Sequence, residues 1–415
     1  MFLTKQGGIF VKPISIVLGE IINLIYNMLS KFGVVNIGIT IILFTLLVRL
    51  CMLPSQFKQN RSSKVMNYIQ PEINKATKKY KNKRDQESMM ALQRETKAIQ
   101  DKYGVNTAKG CLTYLIQLPI FLAVYNIVSN IPAYVDKVKN LYQPIADAIM
   151  KDPAAIENLK KIKEETSSLG VVKLDATNVN SIIDVLAKFS VDTWDKFTAM
   201  FNNQGVVVDA INANVGEIED IYSFAGGINL MSAPGFAITA ALIIPILSLI
   251  FQFLSTHASK KNQPVSDDPA QQATMKSMRM MMNIFPIMSF FITVNVPAGV
   301  GLYWATGSFI AFMNTIIINA YFKNCDMEKI IEKSKEQAAI KLAKREAKGK
   351  KSLYDRLQEA AYGEQNAQAS VNKGLASKSN LKSYSSNNSG NAKYREGSLA
   401  AKANAMQRYN NGGNK

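Results

Sequence analysis

The chain of 415 residues has one histidine, His257, and three cysteines, Cys51, Cys111 and Cys325. Those are too few imidazoles and thiols for a zinc cage, a Ser-His-Asp triad or a disulfide framework. A GxxxxGK(S/T) loop, HExxH, GxSxG and a GxGxxG after a strand pattern are also missing. The sequence therefore disfavours metal-dependent, nucleotide-driven and hydrolytic chemistry, and it requires no cofactor. Charge is lacking in two long runs: there is no Asp, Glu, Lys or Arg between Ile221 and Ser259, nor between Met280 and Phe322. Both runs exceed the roughly 18 apolar residues that signal a bilayer span, so the chain reads as an integral membrane protein. The charge that is present sums to +18, which suits contact with anionic lipid headgroups or nucleic acid.

The pattern predicts an all-α integral membrane protein of five transmembrane helices, at 32–53, 111–132, 234–255, 280–296 and 301–322. The last two share one uncharged run, which as a single helix would extend about 64 Å against a hydrocarbon core of ~30 Å. It must therefore turn back, and Val296-Pro297-Ala298-Gly299 permits the turn. Net charge is +8 over 54–110, −5 over 133–233, +2 over 256–279 and +10 over 323–415. By the positive-inside rule the first, third and fourth of these are cytoplasmic and 133–233 is extracytoplasmic. That alternation places the N-terminus outside and the C-terminus in the cytoplasm.

Residues 1–31 contain a helical stripe of Ile14, Val17, Leu18, Ile21, Ile22, Ile25 and Leu29, interrupted or flanked by Lys12, Glu20 and Lys31. This fits an interfacial amphipathic helix better than a span, with a signal segment as the alternative. The 54–110 stretch reads as a cytoplasmic helical hairpin turning at Asn82-Lys83-Arg84-Asp85. Val65, Ile69, Ile73, Ala76 and Tyr80 face one way on its first arm, and Met89, Leu92, Thr96, Ile99 and Tyr103 on its second. A self-packed solvated hairpin and a mobile lid fit this equally. Met275, Met278, Met280, Met281, Met282 and Met288 are either core filler or an adaptable apolar surface. Residues 328–357 suggest an exposed basic helix, and 365–415, rich in Ser, Asn, Gly and Ala, a disordered segment. The 133–233 segment shows helical patches without a legible fold.

Arg49 follows an uncharged stretch and precedes Pro54, inside the cytoplasmic half of the first span. An intramembrane guanidinium is costly and marks function by default, with snorkelling to the headgroups as the competing reading. Thr45 lies one turn before it. Thr113 and Gln117 are spaced i,i+4 on the second span, and Ser248, Gln252 and Thr256 repeat at the same interval on the third. All three polar sets fall in the cytoplasmic leaflet. Singly, each residue reads as helix–helix hydrogen bonding worth about 1 kcal/mol; together they suggest a hydrated groove around a cation. No Asp or Glu occupies any span, which disfavours an ion-coupled transporter or a solute channel. It leaves the counter-ion of Arg49 to be brought by a visiting chain.

Several ordered motifs resemble the YidC/Oxa/Alb membrane protein insertase family. They are Asn67-Tyr-Ile-Gln-Pro-Glu-Ile-Asn74, Lys78-Lys-Tyr-Lys-Asn-Lys83, Lys102-Tyr-Gly-Val-Asn106, Gly110-Cys-Leu-Thr-Tyr-Leu-Ile-Gln-Leu-Pro-Ile-Phe121 and Val296-Pro-Ala-Gly-Val-Gly-Leu-Tyr-Trp304. The resemblance covers about 13–325 apart from the 133–233 segment, and it points to the Gram-positive type. It implies a five-helix core with a hydrophilic groove built on one arginine, matching Arg49, with further groove positions at Gln252 and Trp304. With Thr45, Gln117, Thr113, Ser248 and Tyr303 these make up the candidate substrate groove. It also implies no covalent catalysis. The implied partners are nascent membrane protein substrates, the ribosome through the basic tail and cytoplasmic loops, the Sec translocon and anionic lipids.

Overall fold

The computed structural model describes residue 2 and residues 11–347, except 81–82, 84, 106–107, 167–168, 170–171 and 261–268. The tail beyond 347 lies outside the described residues. The described residues up to Lys341 form one compact unit. Among the described residues nearly everything regular is helix, and the one sheet is a two-stranded antiparallel ladder, β1 (Ser223–Phe224) with β2 (Ile228–Asn229).

α1 spans Val11–Lys31 and α2 Ile37–Lys79. The Asn36 side chain starts α2 by accepting from the Ile39 amide at 3.2 Å, supplying a partner to a first-turn N–H that has none within the helix. α2 runs without a break through Pro54 and Pro71, so the first span and the first hairpin arm are one rod of 43 residues, not two elements meeting near residue 54. α3 (Gln86–Lys102) is the returning arm, capped by Asp85, which accepts from the Ser88 amide at 2.8 Å. α4 spans Ala108–Val128.

After the 133–233 segment, α10 (Ile243–Lys260), α11 (Pro269–Val294) and α12 (Ala298–Lys323) complete the bundle. α10 begins later than hydropathy alone suggests, because a 3-10 turn at Ala240–Leu242 precedes it. α12 is the central helix, packing against α2, α4, α10 and α11. Among the described residues, four helical stretches are long and apolar enough to cross a membrane: Val11–Lys31, Ile37–Lys79, Ala240–Ser259 and Ala298–Lys323. Gln117–Val128 and Arg279–Val294 are shorter apolar helices. Leu43, Leu46, Leu47, Ile250, Phe291 and Ile317 are exposed along these helices. Apolar surface on that scale is excluded from water by a bilayer.

The 133–233 segment, whose fold was not legible from its residues, is a five-helix domain. It consists of α5 (Asp136–Lys151), α6 (Pro153–Glu165), α7 (Val179–Leu186), α8 (Val191–Ala199) and α9 (Val206–Tyr222). Its core contains Tyr142, Ile145, Ile149, Leu159, Ile182 and Phe197, all fully buried. Phe189 stacks edge-on against Trp194 and Phe197, with centroids at 4.8 and 5.5 Å. This core is continuous with that of the bundle, through Ile22 and Tyr26 of α1 and Val128 of α4. Polar ties reinforce the join: Asn23 donates to Asp136 at 2.9 Å, Asn36 to the Ser223 carbonyl at 2.7 Å, and Lys188 to the Ser129 carbonyl. Burial pushes the Lys188 ammonium down to about 8, with Asp184 opposing the shift.

The hairpin carries its own small core of Val65, Ile69, Ile73 and Ala76 from α2 with Ile99, Tyr103 and Val105. Four of the five residues expected on the inner face of the first arm lie in this core; Tyr80 does not. A helix after the last span, α13 (Met327–Glu346), closes this core with Ile331. Arg61 donates to the Ser334 hydroxyl at 2.9 Å and to the Ile330 carbonyl at 3.4 Å. Ala338 packs against Gly104, and the Lys335 ammonium lies 4.9 Å from the Tyr103 ring centre. Tyr103 donates to Glu72 at 2.9 Å. Desolvation works against the Glu72 carboxylate, but the hydrogen bonds from Tyr103 and Lys102 hold it below its usual range. The expected free-standing basic helix is thus docked along one face.

Candidate functional site

The site is built on a parallel seam between α2 and α12. Gly299 faces Ile41, Gly307 faces Arg49, and Asn314 donates to Gln56 at 3.2 Å across the same offset of 258 residues. Parallel helices keep a constant offset of this kind when small residues let the backbones approach and a polar pair fixes the register. At Gly299 a Cβ would fall 2.9 Å from a Val128 methyl and 3.2 Å from the Leu230 carbonyl oxygen, so only a bare backbone fits there. Phe57, one residue past Gln56, packs against Tyr321 and Phe322 with ring centres at 5.0 and 5.4 Å. Both ends of the seam are therefore fixed, and Arg49 sits between them.

The Arg49 guanidinium presents its Nε–Nη2 edge to Gly307. A Cβ placed on that glycine would stand 2.5 Å from Nη2 and 3.2 Å from both Cζ and Nε. Tyr303, one turn earlier on the same face of α12 and almost fully buried, is within electrostatic reach of the guanidinium, and its hydroxyl lies near the Gln117 side chain of α4. Among the described residues no ion pair includes Arg49. A guanidinium carries five donors and no acceptor, and it matches a carboxylate in a bidentate pair. The arrangement can therefore receive an anionic group arriving from elsewhere.

Trp304 forms the apolar wall next to Tyr303. Its ring meets Phe121 of α4 edge-on at 4.7 Å and lies 6.4 Å from Phe285 of α11. Met280, Met281 and Met288 of α11 are exposed, which suits an adaptable outer surface better than core filler; Met275 and Met278 have side chains outside the described residues.

The expected polar set separates into two groups. Arg49, Gln117 and Tyr303 come together with Gly307. Gln252 and Ser248 join a different cluster: the Gln252 amide donates to Ser248 Oγ at 2.8 Å and its carbonyl oxygen accepts from Ser289 Oγ at 2.9 Å. This fastens α10 to α11 with both ends of the Gln252 side chain engaged. Thr45 is fully buried, and its hydroxyl donates back to the Ile41 carbonyl at 2.6 Å, so it faces packed helix. The Thr113 side chain lies outside the described residues.

Sequence reasoning passed over Gly307, Ser289 and the Gln56–Asn314 pair. The available signal was the run of small residues Ala298, Gly299, Gly301, Ala305 and Gly307 on α12, a composition that marks a close helix interface.

Comparison with known proteins bears on the same core. The chain is 46% identical over 98 residues to the membrane protein insertase MisCA of Bacillus subtilis, covering 24% of this chain and 37% of that protein. It is 25% identical over 289 residues to the membrane protein insertase YidC 2 of Listeria innocua, covering 70% of this chain and 66% of the relative. For the membrane protein insertase YidC of Bifidobacterium longum the identity is 24% over 300 residues, covering 71% of each. Matches to the first two relatives thus span less than two thirds of their length. Residues 28–325 match the 60Kd inner membrane protein family, a stretch that runs from the end of α1 through the α2–α12 seam to the end of α12. The chain is a multi-pass α-helical membrane protein and belongs to that family, the YidC/Oxa/Alb family whose motifs its sequence carries.

Proposed function

We propose that the chain is a membrane protein insertase that performs no covalent chemistry and lowers the barrier for moving a polar flank of a substrate helix across the bilayer. The observation that carries this reading is the Arg49 guanidinium, held at the α2–α12 seam beside Tyr303 and Gln117 with no ion-pair partner among the described residues. A charge in that position is stabilised by hydration from one side and by an acidic residue of a passing chain. Trp304, Phe121 and the exposed methionines of α11 supply the apolar surface on which the substrate's own helix slides. Gln252 and Ser248 act as the fastening between α10 and α11 that borders the groove.

In this reading five spans correspond to the first part of α2, α4, α10, α11 and α12. α1 lies on the outer surface, a position supported by its contacts with the 133–233 domain at Asn23, Tyr26 and Ser30. The N-terminus and that domain are extracytoplasmic, and the hairpin, α13 and tail are cytoplasmic in a bacterial plasma membrane. Nascent membrane proteins are the substrates. The ribosome meets the basic cytoplasmic parts, anionic lipids meet the same charge, and the Sec translocon is a partner for larger substrates.

The test is reconstitution. Proteoliposomes holding the purified chain should insert a single-span substrate with an acidic translocated flank, scored as a protease-protected fragment, and Arg49→Ala should lose most of that insertion while Arg49→Lys keeps it. Equal protection in empty liposomes and in the presence of the protein would refute the proposal.

A further inference from the structure

We propose that Gly307 is a positioning residue: the bare α12 backbone at this site is a slot that holds the Arg49 fork in the one orientation in which it pairs with a carboxylate of the substrate. The proposal rests on the insertase reading and adds a residue to which no role is otherwise assigned.

Three observations lead to it. The Nε–Nη2 edge of the guanidinium fills the space beside position 307, since a Cβ there would stand 2.5 Å from Nη2 and 3.2 Å from Cζ and Nε. Second, the register that brings Gly307 to Arg49 is set independently, by Ile41 against Gly299 on one side and Gln56 with Asn314 on the other. Position 307 is therefore presented to Arg49 whatever the guanidinium does. Third, Tyr303 borders the slot one turn away and is itself buried in the bundle core, so its placement does not depend on the guanidinium.

The atom that a new Cβ meets most closely is the far end of a long flexible side chain. Gly307→Ala is therefore accommodated by moving the guanidinium out of its slot, and the backbone need not shift. Alanine also has the higher helix propensity, so the substitution separates position of charge from stability of fold. Lysine carries a compact ammonium on a flexible stem, with no plane to be oriented. Loss of the slot should matter to an arginine at 49 and not to a lysine.

The experiment measures insertion of two substrates that differ only in an acidic or a neutral translocated flank, into proteoliposomes holding the full chain. It compares wild type, Arg49→Ala, Gly307→Ala, Arg49→Lys and the double variant Arg49→Lys/Gly307→Ala. The expected result is that Gly307→Ala lowers the acidic-to-neutral insertion ratio about tenfold, the scale of one charge-assisted hydrogen bond. The double variant should match Arg49→Lys in that ratio. An unchanged ratio in Gly307→Ala, with Arg49→Ala impaired, overturns the slot and leaves the insertase reading standing. Equal loss for both substrates, repeated in the lysine background, assigns Gly307 to the α2–α12 seam alone and also overturns the slot. If Arg49→Ala matches wild type on both substrates, the role of charge fails, and the slot with it.

Discussion

Replacing Ile331 with alanine should release α13 from the hairpin without disturbing the membrane bundle. Ile331 is 3% exposed and is the residue through which α13 enters the hairpin core. The substitution removes three buried carbon groups, about 2.4 kcal/mol at ~0.8 kcal/mol each. Part of any cavity term is recovered, because this core is small and bounded by movable helices. The bonds of Arg61 to Ser334 and Ile330 remain and keep the register of docking. A change of about 2.4 kcal/mol lowers the docking constant roughly 50-fold. Hydrogen–deuterium exchange in nanodiscs reads that shift directly: amides of α13 from Ser334 onward should exchange faster, as should those around Ile99, while those of α12 stay protected. If α13 exchanges at the same rate in wild type and variant, the docking face is wrong. Equal acceleration in α12 and α13 would mean that the hairpin core is part of one cooperative unit with the spans.

Three further outcomes follow from the geometry. In a background without native cysteines, a cysteine at Gln117 should react with a hydrophilic thiol reagent and one at Thr45 should not, because Thr45 is fully buried; equal labelling at both sites would contradict the division of the polar set. Gln252→Leu should destabilise the solubilised protein by about 1 kcal/mol through loss of the α10–α11 fastening, lowering the melting temperature without changing the acidic-to-neutral insertion ratio; a changed ratio would place Gln252 in the charge-sensing site. Lys188 titrates near 8 in the folded domain, below its unfolded value. Between about pH 8 and 10.4 the unfolded chain therefore binds more protons, and the stability of wild type relative to Lys188→Met should rise by up to about 1.4 kcal/mol per pH unit. A pH-independent difference in melting between the two would show that Lys188 is not buried as described.

Much of this was legible in the sequence because bilayer physics writes it in plain composition. The uncharged runs locate the bundle, and the i,i+3/i+4 spacing of Val65, Ile69, Ile73 and Ala76 marks the hairpin's inner face. Arg49 stands out since any charge in such a run is costly. The 133–233 domain was harder to read. Its helices α7 and α8 are only 8 and 9 residues long, too short for periodicity to rise above their neighbours, and their burial depends on Phe189 and Trp194 meeting across a loop. Docking of α13 was hidden for a different reason: Ile331 and Ala338 are buried, but the helix also carries Ile330, Ile340 and Leu342 among ten charged residues, so its apolar positions do not single out one face. Of the polar residues on the spans, Thr45 and Ser248 are buried and Gln117 and Gln252 half-buried. Which of them meet Arg49 depends on helix rotation, and rotation is set by the glycines of α12, whose contribution is a missing side chain.

The central claim is that acidic substrate segments meet Arg49 at the α2–α12 seam. Site-specific photocrosslinking tests it most directly: a photoreactive residue at Gln117, beside the Tyr303 hydroxyl, challenged with a ribosome-stalled nascent chain whose acidic flank is about to cross. The account predicts a crosslink at 117 that weakens when Arg49 is alanine or when the flank is made neutral, and none from the exposed face of α12 at Ile317. Crosslinking at Ile317 with none at 117, or a signal at 117 indifferent to both charges, would contradict it.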